Sequence, residues 1–132
     1  MPSMFEELGG ESALRAVISG FVARVFADPM IGFFFRNSGR KRIEELEYQH
    51  AAEFLGAAIV YRGRPLDEAH RAHPIMGGQF ARRMQILREV LDEHGVPSGI
   101  RDAWLAHNES LRQLITRDAG SACDLDQALK PT

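Results

Sequence analysis

From Leu14 onward the apolar residues Val17, Ile18, Phe21, Val22, Val25 and Phe26 follow at spacings that alternate between three and one. An α-helix gathers such a set onto one wide stripe, whereas a strand would scatter it over both faces. Gly9-Gly10 breaks the chain before this helix and Asp28-Pro29 marks its end. The period returns in later segments, and strand-like alternation is nearly absent. The fold class is therefore all-α, with five or six helices.

The next segment, Met30 to Phe35, ends in three consecutive phenylalanines, Phe33, Phe34 and Phe35. They cannot all face one side, so at least one is expected to reach beyond the neighbouring helix. Asn37-Ser38-Gly39 opens a second long helix. A rotation of about 100° per residue places Ile43, Leu46, Glu47, His50 and Phe54 in one sector, while Tyr48 and Gln49 point away from it. Glu47 and His50 thus stand on the side expected to be buried. After the loop Tyr61 to Pro65 there is room from Leu66 to His73 for barely two turns, before Pro74 and Gly77-Gly78 intervene. Two longer helices follow. One runs from about Gln79 to His94, with Phe80, Met84, Leu87 and Leu91 inward. The other carries Ile100, Trp104, His107, Leu111, Leu114 and Ile115, with Ser98 as its expected N-cap.

The 132 residues suffice for one domain with a real core. That domain is expected to span residues 1–118, with 119–132 as a weakly patterned tail. A net charge of -2 gives no reason to expect nucleic acid or an anionic membrane as partner. Arg82, Arg83 and Arg88, the densest basic group, read as a solvated helix face. Cys123 is the single cysteine, which rules out an internal disulfide and a thiolate metal cluster. No basic segment leads into an apolar run at the N-terminus, and no apolar stretch reaches membrane-spanning length. The expectation is a soluble, cytoplasmic protein.

The stretch from Pro65 to Phe80 carries the most chemical information. His70 and His73 stand three apart on a piece too short to build much core. They read either as exposed histidines on a surface turn or as members of a site. A zinc site needs further ligands at suitable spacing, and the His-Glu-x-x-His pattern is missing. A di-iron bundle needs two Glu-x-x-His motifs on long helices. Glu47-x-x-His50 supplies one, and Asp67-x-x-His70 lies on a helix too short for the other. Haem needs one axial histidine in an apolar, aromatic pocket. Phe34, Phe35, Ile43, Phe54, Ile75, Phe80 and Trp104 could line one.

Several motifs, in order, resemble those of the truncated haemoglobins, most closely their bacterial group I. Leu8-Gly9-Gly10 is similar to the family's first glycine pair. Phe21-x-x-Arg24-Val25-x-Ala27-Asp28-Pro29 resembles its second helix and following turn, and Phe34-Phe35 its haem-facing phenylalanine pair. Leu55-Gly56 with Tyr61-x-Gly63-x-Pro65 resembles the linker before the proximal histidine. In the family a Pro stands five residues before that histidine, an Ile five after and a Phe ten after. Pro65, Ile75 and Phe80 stand so about His70. The resemblance therefore implies a two-over-two helical sandwich around haem b, with His70 as proximal iron ligand. His73 has no ligand counterpart, and contact with a haem propionate or with solvent is left to it.

The resemblance also implies a pocket that takes in Leu46, Glu47, His50, Tyr61, Leu66 and His73 beside the residues above. Lys41, Arg62, Arg64 and Tyr61 are candidates for the propionates. The departures fall on the opposite, distal side. Where many members place a tyrosine that donates to the bound gas, this chain has Val22, and a frequent distal glutamine is matched by Glu47. Gly56-Ala57-Ala58 replaces the usual Gly-Gly-Pro. Glu47 and His50 are left as the candidate distal residues, unless Glu47 turns outward to Arg40 or Arg42. The implied function is binding of a diatomic gas (oxygen, nitric oxide or carbon monoxide), with nitric oxide dioxygenation or peroxide-type chemistry among the implied reactions and a reductase as partner. The alternative is a six-coordinate haem sensor or electron-transfer protein with His50 near or on the iron. The sequence sets neither the reductase nor the oligomeric state.

Overall fold

The computed structural model of the chain describes residues 2–35, 38–66 and 75–116, and within them the secondary structure is helical apart from one isolated bridge. Helix α1, Met4–Leu8, starts on a capping box: Ser3 Oγ accepts the Glu6 amide at 3.1 Å, and the Glu6 carboxylate accepts the Ser3 amide at 3.0 Å. Two otherwise orphaned donors are thereby satisfied. Gly9, at φ 125°, then turns the chain into α2, Gly10–Ala27. An L side chain strongly disfavours that φ, so this turn depends on glycine. The helix begins earlier than the apolar stripe that announces it. Leu14, Val17, Ile18, Phe21, Val22 and Val25 are buried along it. Phe26 is half-buried at the edge and stacks on Phe35, centroids 5.1 Å apart.

A 3₁₀ turn, Gly32–Phe35, carries the phenylalanine run. Its residues spread as expected: Phe35 turns back to Phe26, whereas Phe33 is exposed and lies on Phe34. Helix α3, Arg40–Leu55, ends at Gly56 in the left-handed region, φ 97°. There the Ala57 amide returns to the Ala52 carbonyl at 2.9 Å, closing a glycine C-cap. Helix α4 spans Gly77–Glu93, α5 Ser98–Ser110 and α6 Arg112–Ile115. Ser98 is the first residue of α5, not its cap: Pro97 holds the N-cap position, and no side chain caps the helix. The last helix is also shorter than its apolar pattern suggests, because the chain turns at Leu111 before α6 begins.

Helix α2 packs against both α3 and α4, α4 packs against α5, and α3 meets α5. Two helix pairs thus lie across one another around a shared core, the two-over-two arrangement. Inward residues of α4 are Phe80, Ile86, Leu87, Val90 and Leu91, with Met84 only half-buried. Each large apolar side chain in this core contributes about 1.5–3 kcal/mol by leaving water. Tyr48 joins them, 2% exposed, although its polarity suggested an outward position. The Arg15 guanidinium lies over its ring at 3.8 Å. Among the described residues no helix is long and apolar enough to cross a membrane.

Candidate haem site

Helix α3 has two apolar faces, and the fold buries one. Tyr48, Ala51, Ala52 and Leu55 are buried. The sector of Ile43, Leu46, Glu47, His50 and Phe54 is only half-buried. An apolar helix face that the described residues leave partly open has room for something else. Haem requires a broad apolar face, few polar groups and one axial nitrogen ligand. This face, apolar but for Glu47 and His50, fits the first two requirements. His70 and His73 lie outside the described residues.

The other expected pocket residues divide into two groups. Phe34, Phe35, Leu66 and Ile75 are half-buried, and so have surface left for a bound group. Phe80 and Trp104 are buried, 1% and 3% exposed. The Arg112 guanidinium lies over the Phe80 ring at 4.8 Å, and Ile75 bridges to Thr116. Val22, where many relatives in the resemblance carry a tyrosine, is 1% exposed in the core and has no side-chain donor.

His50 stands in an aromatic cluster. Its ring lies edge-on to Tyr61 at 5.4 Å and stacks on His107 of α5 at 5.5 Å. Phe54 stacks on the same His107 at 4.2 Å, nearly parallel. Tyr61 is fixed from both ends: its amide donates to Glu53 at 3.0 Å, and its hydroxyl donates to the Arg64 carbonyl at 3.0 Å. The Arg62 amide donates to Gln49 at 2.8 Å, so the linker is tied to α3. Lys41, Arg62 and Arg64 are exposed.

Burial holds His50 below the ordinary imidazole pKa, opposed by the negative charge of Glu47 and reinforced by Arg83. His107 is lowered by burial and by His50. Both rings are therefore neutral near pH 7. Since the unfolded chain binds these protons more readily, stability is full above about pH 6.5 and falls as pH drops towards the folded values. NMR titration of the haem-free chain is expected to give midpoints below 6.5 for His50 and His107. Values at or above 6.5 would show that the cluster is open to water.

Glu47 does not turn outward. Arg40 pairs instead with Glu44 at 3.0 Å, and Glu47 faces Arg83 of α4, whose Nη2 lies 3.3 and 3.4 Å from its two oxygens. Arg83 Nη1 donates to Asn108 Oδ1 at 2.8 Å, and Asn108 Nδ2 donates to the Trp104 carbonyl at 3.1 Å. The Phe21 ring lies 5.0 Å from the guanidinium. These groups line a cavity of about 10 Å³, the room of one water. Its polar walls are Glu47, His50, Arg83 and Asn108.

The basic group on α4 is thus no solvated face as a whole. Arg83 turns into the site, and Arg82 bonds to buried Asp28 at 2.7 Å, while Arg88 is exposed. Arg83 and Asn108 are site residues that the apolar pattern passes over, and His107, already in the stripe of the last helix, joins them. A signal for Arg83 was there: it sits three residues after Phe80 and four before Leu87, inside the inward stripe.

The profile of the bacterial-like globin family matches residues 3–117. A group 1 truncated haemoglobin of Mycolicibacterium paratuberculosis is 30% identical over 96 residues, 73% of this chain and 71% of that protein. One from Tetrahymena thermophila is 28% identical over 99 residues, 75% and 82% of the two chains. Among solved structures, the truncated haemoglobin of Tetrahymena pyriformis in its Fe(III) form superposes with a TM-score of 0.81 at 25% identity, covering 87% of this chain and 98% of that one. Haemoglobin from Chloroflexus aurantiacus gives 0.79 at 25%, covering 89% and 100%. With a family profile matched over nearly its whole length and a fold shared with these proteins, the chain belongs to the bacterial-like globin family and has the truncated haemoglobin fold.

Proposed function

We propose that this globin carries haem b against the open face of α3, with His70 as the protein ligand to iron, and binds a diatomic gas such as oxygen, nitric oxide or carbon monoxide. Haem b is the prosthetic group of globins. The observation that carries the reading is the half-buried sector of Ile43, Leu46, Glu47, His50 and Phe54, an apolar face left open in a chain of this family. The spacing of Pro65, Ile75 and Phe80 about His70 supports the choice of ligand. When bound, haem supplies an iron centre able to take a small ligand.

The chain's own residues do the rest. As axial ligand, His70 would offer a ring nitrogen lone pair, and an acceptor for its second nitrogen would fix the ring. Phe34, Phe35, Ile43 and Phe54 exclude water. On the ligand side Val22 has nothing to donate, which leaves Glu47 and His50 as the polar groups. An imidazole N–H donor such as that of His50 stabilises a partly anionic ligand by about 1–3 kcal/mol. Lys41, Arg62, Arg64 and Tyr61 are the candidates for the propionates, and His73 either joins them or meets solvent.

A second reading, with His50 on the iron as sensor or electron carrier, is favoured by one observation. His50 has ring contacts but no hydrogen bond on either nitrogen among the described residues, and burial keeps it neutral. Absorption spectra separate the two. The purified protein is expected to be red-brown, with the Soret band of a haem protein. Ferrous bands of a five-coordinate iron support gas binding, and split low-spin bands support the His50-ligated form. A colourless protein that takes up no haem would sink both.

A further inference from the structure

We propose that Arg83 is the specificity-determining cation of the ligand side, selecting small anionic haem ligands over neutral ones, with Glu47 as the counter-charge that tempers it and Asn108 as the residue that positions it. The inference rests on the haem reading above and goes beyond its pairing of Glu47 with His50.

The geometry is asymmetric. The bond from Arg83 to Asn108 is short, 2.8 Å, and Asn108 is itself oriented by the Trp104 carbonyl. With its amide nitrogen committed there, Asn108 can offer only its oxygen to the guanidinium. The Glu47 contacts, 3.3 and 3.4 Å, are longer than the 2.7–2.9 Å usual for a charged pair. Arg83 is therefore anchored from α5 and only loosely held by α3. Asn108 and Glu47 are its hydrogen-bond partners among the described residues, so several of its five N–H donors remain for a ligand.

Its surroundings strengthen its field. The Arg83 side chain is 21% exposed, and one flank lies over Phe21. Low-dielectric walls make a fixed charge felt more strongly than in water. Arg83 shares a small cavity with His50 and Glu47, the two polar groups on the open α3 face. Val22 gives the site no neutral donor of its own. A cation in that position attracts azide or fluoride and is indifferent to carbon monoxide. Glu47 opposes it, since a carboxylate repels the same anions.

The two halves of the pair thus act in opposite senses, which a merely structural ion pair would not do. The test uses the haem-loaded protein: azide and fluoride are titrated into the ferric form and carbon monoxide into the ferrous form. Arg83→Met is expected to weaken azide about tenfold, which corresponds to 1.4 kcal/mol. Glu47→Gln is expected to strengthen azide at least threefold. Carbon monoxide affinity should stay within twofold in both variants, and Arg83→Lys should recover most of the azide affinity. Equal shifts of the same sign in Arg83→Met and Glu47→Gln, or azide affinities that do not move, overturn the proposal and leave the haem reading standing. If Arg83→Met does not hold haem, Glu47→Gln decides alone, because weaker azide binding there is fatal to the proposal. A wild-type protein without a Soret band would remove the haem reading and this inference with it.

Discussion

Alanine in place of His70 is expected to strip the protein of its proximal ligation spectrum and of most of its haem. Among the described residues, the remaining groups of the proposed site are apolar or lie on the ligand side. Loss of an outer hydrogen-bond partner alone costs a metal site about 10–100-fold in affinity, and removing the ligand itself should cost more. A His70→Gly protein offers a cleaner readout, because free imidazole can occupy the vacated volume and should restore both the spectrum and haem retention. Circular dichroism of the variant separates lost haem from lost fold. If His70→Ala keeps an unchanged iron spectrum, the axial ligand is another residue and the register of Pro65, Ile75 and Phe80 has misled.

Asp28→Ala should cost about 2–3 kcal/mol, much of it from two backbone amides left without an acceptor. One Asp28 oxygen accepts the Met30 and Ile31 amides at 3.0 and 3.2 Å, while the other meets Arg82 of α4 at 2.7 Å. The carboxylate is nearly buried, 4% exposed, so water cannot replace these partners. The end of α2, the following turn and α4 are joined through this one group. Arg82 first, then the two amides, hold the Asp28 carboxyl below its ordinary pKa against the opposing effect of burial. Because the folded value is the lower one, the contribution is fully present above the unfolded value of about 3.9 and is lost as pH falls through the folded value. Denaturant unfolding of wild type and Asp28→Asn at several pH values checks this. Their difference should be constant from pH 8 to 5 and shrink below 4; a gap that persists in stronger acid would show that charge plays no part.

Much of the scaffold could be read from period alone. The stripe from Leu14 to Val25 is buried as its spacing requires, and the phenylalanine run divides between inward and outward positions. Local chemistry announced even more than the apolar pattern did. The short helix α1 follows from Ser3-x-x-Glu6, a capping box that a search for long stripes passes over. Other features were hidden because they depend on what lies across the gap. Tyr48 is buried in the core cluster with Arg15 over its ring, and nothing near it in sequence says so. Ser98 is a good cap by type, yet the chain enters α5 one residue earlier, through Pro97.

The open face of α3 shows the same division. Spacing alone put Ile43, Leu46, Glu47, His50 and Phe54 in one sector, and family register alone singled out His70, because both are properties of position along one chain. Neither could say where the charge of Glu47 goes. Arg40 and Arg42 were nearer in sequence, but Arg40 is taken by Glu44, and the fold brings Arg83 from a helix 36 residues away. Partners of a charge are settled by which helices cross and at what height, and that is decided only when the core packs. The sequence by itself therefore determined the long helices, the grouping of that sector and the candidate ligand, whereas the packing decided that the sector stays half-buried. The tertiary structure decided that the sector's polar end is a cation–carboxylate–amide group drawn from α3, α4 and α5.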